Sequence, residues 1–130
     1  MLKIGSLNVR ECIANEGKRR EIGCMFERRM LDILALSETK MKGVGECMFG
    51  DVPGMLSGIA EGRAKEGVAM LMSERIINMV VECKRISPRL MWVKVKMGKE
   101  GWVFVSAYVP GSEKTEQQRE IFLEEITVCE

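Results

Sequence analysis

Three strand-like, largely apolar runs of this chain each end on a polar residue suited to phosphate or metal chemistry. The first run ends on Asn8, the second on Glu38 and the third on Tyr108. Open α/β sheets tend to bind ligands at the edge where their strands end. We therefore expect an amide, a carboxylate and a phenol to converge on one edge of a sheet.

Glu38 and Asn8 are the candidate metal ligands. A Mg²⁺ ion held by a carboxylate neutralises charge on a phosphodiester and makes a bound water nucleophilic. Asn8 could add an amide oxygen to the same ion, or hold a neighbouring side chain by hydrogen bonds. Each residue also has an ordinary reading, since a strand-terminal glutamate often faces solvent and asparagine often forms turns.

Tyr108 and Arg89 are the candidate substrate-binding residues. Tyr108 is the only tyrosine of the chain and could donate its phenolic hydrogen to a phosphate oxygen. The alternative is a tyrosine at the core margin with its hydroxyl in water. Arg89 follows Ser87-Pro88 and could contact substrate, pair with an acid or remain solvated. The predicted catalytic set is Asn8, Glu38 and Tyr108.

The elements that must position these residues begin with a strand–helix–strand unit. Apolar periodicity predicts a strand over 2–9, a helix over 16–30 and a strand over 33–38. In the helix, Ile22, Met25, Phe26 and Met30 share the predicted inner face.

The rest of the chain reads as loop, strands and a final helix. Six glycines and Pro53 predict mostly loop over 40–66, with at most one short strand near 55–59. Thr115 and Gln118 have the spacing of a capping box and, with Ile121, Phe122 and Ile126 on one face, predict a closing helix. Between these segments lie four strand candidates, at 67–72, 79–86, 89–97 and 102–109. A hairpin turn at 98–101 joins the last two of them.

The last strand candidate alternates between two faces that are both largely apolar. Trp102 and Phe104 lie on one face with Tyr108, and Val103 and Val105 lie on the other. A strand of this kind is normally covered on both sides. One helical layer covers one side, and the other side needs material that this chain does not contain in full.

Composition bounds the class of protein. The chain has 130 residues, of which 46% are hydrophobic and 30% charged, and its formal net charge is +1, so it reads as one globular domain without an overall basic surface. Its five cysteines are odd in number and it has no histidine, which disfavours zinc and predicts buried thiols in a reducing compartment. We expect an intracellular protein, nuclear or cytoplasmic, with no membrane partner.

Five phrases of the sequence, in this order, resemble the endonuclease/exonuclease/phosphatase family. They are KIGSLNVR at 3–10, DILALSETK at 32–40, EGVAMLM at 66–72, KRISPRLM at 84–91 and AYVP at 107–110. Within the family they are similar to the endonucleases of LINE-type retrotransposons and to craniofacial development protein 2-like proteins. In the second phrase, Ser37 stands where the family usually has glutamine.

The resemblance implies an α/β fold: the N-terminal half of a two-sheet α/β sandwich, with a mixed sheet and flanking helices, and with the second half absent. Residues 1–130 would then be a partial endonuclease/exonuclease/phosphatase domain. The family implies Mg²⁺ dependence and nicking of a DNA strand. By resemblance, Glu38 would bind the metal, Asn8 would support the metal and its network, and Tyr108 would contact the scissile phosphate.

Two departures from the family bear on activity. The later Gly-Asp-Phe-Asn and Ser-Asp-His phrases have no counterpart, because the only aspartates are Asp32 and Asp51 and there is no histidine. Pro88 also replaces the acidic residue that commonly precedes the arginine at Arg89. A positioned acid–base group typically contributes about 10²–10⁴-fold to a rate. We therefore expect a truncated LINE-like endonuclease domain that is inactive as this fragment.

Two other functions stay open. The chain could belong to another phosphoesterase of the same superfamily, acting on a phosphomonoester, a lipid head group or an RNA tail. It could instead be a non-catalytic remnant that binds DNA or a protein. An exposed sheet face would in addition predict self-association, because large apolar patches mark interfaces.

Overall fold

The computed structural model describes residues 2–9, 13–41, 43–58 and 67–108, and the backbone of 121–126. It is an α/β sandwich of two sheets, with a helix on the outer face of the first sheet. The elements in chain order are β1 Leu2–Asn8, α1 Glu16–Arg28, β2 Ile33–Ser37, β3 Val44–Phe49, β4 Val52–Ser57, β5 Val68–Met72, α2 Glu74–Ile77, β6 Val80–Ser87, β7 Leu90–Met97, β8 Glu100–Ala107 and β9 Ile121–Ile126.

The first sheet is mixed, as predicted. Its strand order is β3-β4-β5-β2-β1-β9, and β1 and β2 run parallel while the other neighbouring pairs are antiparallel. The predicted strand–helix–strand unit is confirmed as β1–α1–β2. Asn15 caps α1 by accepting a hydrogen bond from the Lys18 backbone N–H, which satisfies one of the free donors of the first turn.

Helix α1 buries Ile22 and Phe26 against the sheet, and its third predicted inner residue, Met25, is partly buried. The prediction for Met30 is wrong, because 80% of its surface is exposed. The helix ends at Arg28, and Met30 has a positive φ of 55° that turns the chain away before another helical turn forms. Neither helix among the described residues is long and apolar enough to cross a membrane.

The prediction of a loop over 40–66 is wrong for most of its described part. Strands β3 and β4 form an antiparallel hairpin in which Phe49 pairs with Val52. The number of glycines led to the wrong loop prediction because glycine also occurs inside strands. Gly54 lies inside β4, where the Phe49 ring fills the space that a Cβ would need. Glycine therefore serves close packing at this position, which is one of its recognised uses within strands.

The second sheet is an antiparallel meander in the order β6-β7-β8. Two-residue turns join its strands, because Ser87 pairs with Leu90 and Met97 pairs with Glu100. The hairpin predicted at 98–101 is confirmed, and the strand predictions for this sheet agree with the structure to within two residues at each end.

The two sheets enclose one core, and α1 and the first sheet enclose another. All five residues of β5 are buried, as expected of a strand that is covered on both faces. Strand β8 differs. Phe104 is 9% exposed against the first sheet, whereas Val103 is 55% and Val105 is 53% exposed on the outer face. The predicted cover for that second face is not provided by the described residues, and Val109 lies outside them.

The closing helix predicted at the C-terminal end is wrong. Residues 121–126 form β9, which pairs antiparallel with β1 from Ile121 opposite Leu7 to Ile126 opposite Leu2. Strand β1 would otherwise leave an open backbone edge, and pairing with that edge overrides a short helical spacing. Thr115 and Gln118 lie outside the described residues. The short helix α2, capped by Ser73, was not predicted.

Candidate active site

Asn8 and Glu38 lie at the ends of two neighbouring parallel strands. Asn8 is opposite Ser37 in the register of β1 and β2, and Glu38 is the next residue. The Val9 N–H donates to the Ser37 carbonyl at 2.9 Å, which extends the pairing just past the strand ends. Neighbouring strands are about 4.8 Å apart. The parallel pairing therefore brings the two candidate metal ligands to the same edge of the first sheet.

The second sheet brings Tyr108 and Arg89 to this end of the sandwich. The buried Ser106 hydroxyl donates to the Leu36 carbonyl at 3.1 Å, so the end of β8 lies against the end of β2. Tyr108 follows two residues later, and its N–H donates to the Arg89 carbonyl at 2.9 Å. The four predicted residues thus share one end of the fold, and the roles assigned to them stay predictions.

The Asn8 side chain carries an unusual oxygen. Its Oδ1 atom is buried, and none of the described residues donates a hydrogen bond to it. Leaving a buried acceptor unsatisfied costs about 1–3 kcal/mol, so such an atom calls for an explanation. An amide oxygen beside a carboxylate is a suitable donor for a hard cation such as Mg²⁺.

The donor set fits Mg²⁺ better than a metal that needs a complete protein cage. Within the described ranges no group of three or more His, Cys, Asp or Glu side chains could hold an ion together. Mg²⁺ usually binds through one or two carboxylates and completes its shell with water and substrate phosphates. Glu38 and Asn8 are the residues that would hold it.

The backbone around Glu38 has an uncommon conformation. Glu38 has φ 53° and Lys40 has φ 55°, and residues other than glycine rarely adopt positive φ. Between them Thr39 is buried, its N–H donates to the Gly67 carbonyl at 3.1 Å, and its own carbonyl accepts from the Ile13 N–H at 3.0 Å. These contacts hold the strained segment in place, as is common at functional sites.

Thr39 and Gly67 contact each other next to Glu38, and sequence reasoning missed this contact. Gly67 has φ 130°, and a Cβ there would collide with the Thr39 hydroxyl oxygen. A glycine at this point therefore lets the start of β5 approach the turn that carries Glu38. The only sign of this contact in the sequence is that Gly67 directly precedes an apolar run.

The two aspartates of the chain lie at the other end of the first sheet. The Asp32 carboxylate accepts from the Lys3 N–H at 3.1 Å and from the Ser73 hydroxyl at 3.3 Å, and it pairs with Arg75 at 3.1 Å. Asp51 lies in the turn between β3 and β4. Both are therefore remote from Asn8 and Glu38.

The prediction that the cysteines are buried thiols can be compared with the structure at three positions. Cys24, Cys47 and Cys83 are free thiols, whereas Cys12 and Cys129 lie outside the described residues. Cys47 and Cys83 are half-buried, and Cys24 is exposed, so the prediction of buried thiols is wrong for Cys24. Burial raises the pKa of the Cys47 and Cys83 thiols, which makes them poor nucleophiles.

Solved structures identify the class of fold. The crystal structure of the AP endonuclease LMAP from Leishmania major matches with a TM-score of 0.55 and 14% identity, over 83% of this chain and 40% of that chain. The endonuclease domain of TRAS1, a telomere-specific non-LTR retrotransposon, matches with a TM-score of 0.54 and 14% identity, over 89% of this chain and 48% of that one. The chain has the N-terminal part of an endonuclease/exonuclease/phosphatase-type fold, as predicted.

A sequence relative points the same way. Craniofacial development protein 2 from Bos taurus is 29% identical over 107 residues, which cover 82% of this chain and 18% of the bovine protein. No family model matches the sequence. The chain thus spans less than a fifth of this relative and less than half of either structural neighbour.

Proposed function

We propose that this chain supplies the metal-holding N-terminal part of a Mg²⁺-dependent phosphodiesterase that acts on DNA, similar to the endonucleases of LINE-type retrotransposons. The observation that carries the proposal is the buried, unsatisfied Asn8 amide oxygen beside Glu38 at the ends of two parallel strands. A bound Mg²⁺ would neutralise phosphate charge and lower the pKa of a coordinated water.

In this proposal each site residue has one task. Glu38 and Asn8 hold the cation through a carboxylate and an amide oxygen. Tyr108 donates its hydroxyl to an oxygen of the scissile phosphate, and the exposed Arg89 beside it contacts the DNA backbone. The strained turn around Thr39 fixes the Glu38 carboxylate before substrate arrives, which reduces the reorganisation that catalysis would need.

The same residues do not complete a hydrolytic site. The chain has no histidine, and its two aspartates lie at the opposite end of the first sheet. Nothing in the proposed set deprotonates water or protonates the leaving oxygen, and each such group is worth about 10²–10⁴-fold in rate. We infer that residues 1–130 act as a partial domain and are inactive by themselves.

DNA is the substrate favoured by the comparisons, because one structural neighbour is an AP endonuclease and the other belongs to a telomere-specific retrotransposon. A DNA substrate would place the working protein in the nucleus, or in the cytoplasm before import. A phosphomonoester substrate within the same superfamily is the alternative. Binding of labelled duplex DNA in competition with a phosphomonoester would distinguish the two.

A nicking assay tests the proposal. Supercoiled plasmid is incubated with Mg²⁺ and the wild-type chain, Glu38→Ala, or the control Glu100→Ala, which alters an exposed acid of the second sheet. We expect no nicking that depends on Glu38. We also expect the chain to bind DNA in the presence of Mg²⁺, with weaker binding by Glu38→Ala and unchanged binding by Glu100→Ala. Glu38-dependent nicking would overturn the proposed inactivity, and DNA binding indifferent to both Mg²⁺ and Glu38 would overturn the proposed site.

A second candidate function, association through a sheet face, rests on a separate observation. Four aliphatic side chains of β6 and β8 are each more than half exposed: Val81 at 59%, Ile86 at 52%, Val103 at 55% and Val105 at 53%. Among the described strands, β8 pairs only with β7 and so presents an open edge. Exposed apolar surface next to an open edge favours self-association.

Light scattering coupled to size-exclusion chromatography tests this association. The wild-type chain should elute as a dimer or larger species, and Val103→Lys with Val105→Lys should shift it to monomer. Val44→Lys with Met48→Lys makes the same change at β3, an edge strand of the first sheet that also carries exposed apolar residues, and it should leave the oligomer intact if association uses β8. A monomeric wild-type chain would refute the proposal.

A further inference from the structure

A groove of about 740 Å³ opens at the end of the first sheet that is remote from Asn8 and Glu38. It lies between the C-terminal end of α1, the turn joining β3 to β4, and α2. Four acids form its rim: Glu27, Glu46, Asp51 and Glu74. We call it the acidic groove. Its volume falls in the range of roughly 300–1,000 Å³ that is typical of ligand sites.

The lining of the acidic groove between these acids is largely apolar and rich in methionine. Met55 and Ile77 line it and are partly accessible, and Met30 at its margin is 80% exposed. Methionine side chains are flexible and polarizable, so surfaces built from them adapt to partners of differing shape. An exposed methionine beside an apolar depression gives a partner's apolar side chain a place to bury.

The charge of the acidic groove has one sign. All four rim carboxylates are exposed, and no Lys or Arg in the described part of the chain lines the groove. None of the four forms an ion pair with a described basic side chain. The whole chain has a formal charge of only +1, so this concentration of negative charge is local. The groove therefore attracts cations and repels the phosphates of nucleic acid.

We propose that the acidic groove binds a basic, amphipathic peptide segment of a partner protein. Its Lys or Arg side chains would pair with the rim acids, and its apolar side chains would pack against Met30, Met55 and Ile77. Complementary charge around an apolar centre is the usual arrangement of protein interfaces. A neutral apolar ligand would leave the four carboxylates unused, and DNA would be repelled by them.

This binding site is independent of the proposed nuclease site, because the two lie at opposite ends of the first sheet. Loss of one is not expected to affect the other. Failure of the peptide experiment would therefore leave the cation site untouched, and the reverse also holds.

Fluorescence anisotropy with the full 130-residue chain tests the proposal. The probe is a labelled synthetic peptide of Lys and Leu patterned as an amphipathic helix, compared with a Glu–Leu peptide and a Lys–Ser peptide of the same pattern. We expect the Lys–Leu peptide to bind, the Lys–Ser peptide to bind at least tenfold more weakly, and the Glu–Leu peptide not to bind. Equal binding of the two Lys peptides would overturn the proposal, as would failure of the Lys–Leu peptide to bind.

Variants locate the binding. Glu46→Gln with Asp51→Asn should weaken binding about three- to tenfold, since exposed ion pairs are individually weak. The matched control, Glu82→Gln with Glu100→Gln, removes two exposed acids of the second sheet and should change nothing. Equal effects of the two double variants would contradict the proposed site.

Methionine methyl NMR gives a readout that does not depend on any variant. With ¹³C-methyl-labelled methionine, the Lys–Leu peptide should shift the signals of Met30 and Met55 and leave that of Met91, which is buried between the sheets. The site would be wrong if the peptide shifted Met91 and left Met30 and Met55 unchanged.

Discussion

At the scale of single residues, Asn8 and Glu38 are the main evidence for a cation site. The Asn8 amide oxygen is buried, and none of the described residues donates a hydrogen bond to it. Burying such an acceptor costs free energy unless a further group binds it. Glu38 follows the neighbouring strand in a backbone conformation that side chains disfavour. A bound cation, as proposed above, would account for both the unsatisfied oxygen and the strained acid at one sheet edge.

The shared location of Asn8, Glu38 and Tyr108 at one end of the fold was predictable from the sequence, whereas the contacts around Glu38 were not, and the roles of the three residues stay predictions. Asn8, Glu38 and Tyr108 each end an apolar run, a pattern that is local and visible. Thr39 and Gly67 hold the Glu38 turn through a contact between segments 28 residues apart, which no local pattern reveals. Contacts of this kind follow from strand pairing, so they become visible only once the sheet order is known.

The cysteines give a prediction at the same scale. Burial raises the pKa of Cys47, against an opposing effect of nearby Arg19, and burial likewise raises the pKa of Cys83. A raised thiol pKa leaves less thiolate at neutral pH, so alkylation of these two thiols should lag behind that of the exposed Cys24. The difference in labelling rate should become smaller as the pH rises toward the raised pKa values of Cys47 and Cys83. Iodoacetamide labelling followed by peptide mass spectrometry checks this, and equal rates at neutral pH would contradict it.

At the scale of elements, periodicity located those strands and the helix that bury a continuous face. β1, α1, β2 and β5 were predictable because their apolar spacing is regular. The β3–β4 hairpin was missed because its glycines fit tight packing as well as turns. β9 was missed because its pairing with β1 depends on an open edge elsewhere in the chain.

Helix α1 packs so closely against the β3–β4 hairpin at Gly23 that adding one methyl group there should destabilise the fold. Gly23 faces the Phe49 carbonyl, and a Cβ at Gly23 would collide with it. Alanine normally stabilises a helix by up to about 1 kcal/mol over glycine. Overpacking against a backbone that cannot yield should cost more, roughly 1–3 kcal/mol. Gly23→Ala should therefore lower the free energy of unfolding, as measured by urea titration with circular dichroism.

The control for this prediction is Gly101→Ala in β8. A Cβ at Gly101 would meet only the Lys94 Cε at 3.7 Å, an ordinary contact, so its stability should change little. Should Gly23→Ala prove more stable than the wild-type chain, the close contact between α1 and β3 would be refuted.

At the scale of the whole molecule, the two ends of the first sheet have different chemistry. One end gathers an amide, a carboxylate and a phenol, and the other presents acids around an apolar groove. The outer face of the second sheet adds a third surface, on which the exposed Val103 and Val105 lie beside charged residues such as Lys94. The chain spans less than half of either structural neighbour.

Cation binding is the decisive measurement for the proposed site at Asn8 and Glu38. Mn²⁺, which prefers the same oxygen ligands as Mg²⁺, is titrated into the wild-type chain, Glu38→Gln, Asn8→Ala and the control Glu100→Gln, with free Mn²⁺ followed by electron paramagnetic resonance. We expect one Mn²⁺ site in the wild-type chain and in Glu100→Gln, from which Mg²⁺ displaces Mn²⁺. Mn²⁺ should bind at least tenfold more weakly to Glu38→Gln, and Asn8→Ala should lose less affinity. Equal Mn²⁺ affinity in the wild-type chain and Glu38→Gln would refute the proposed metal site.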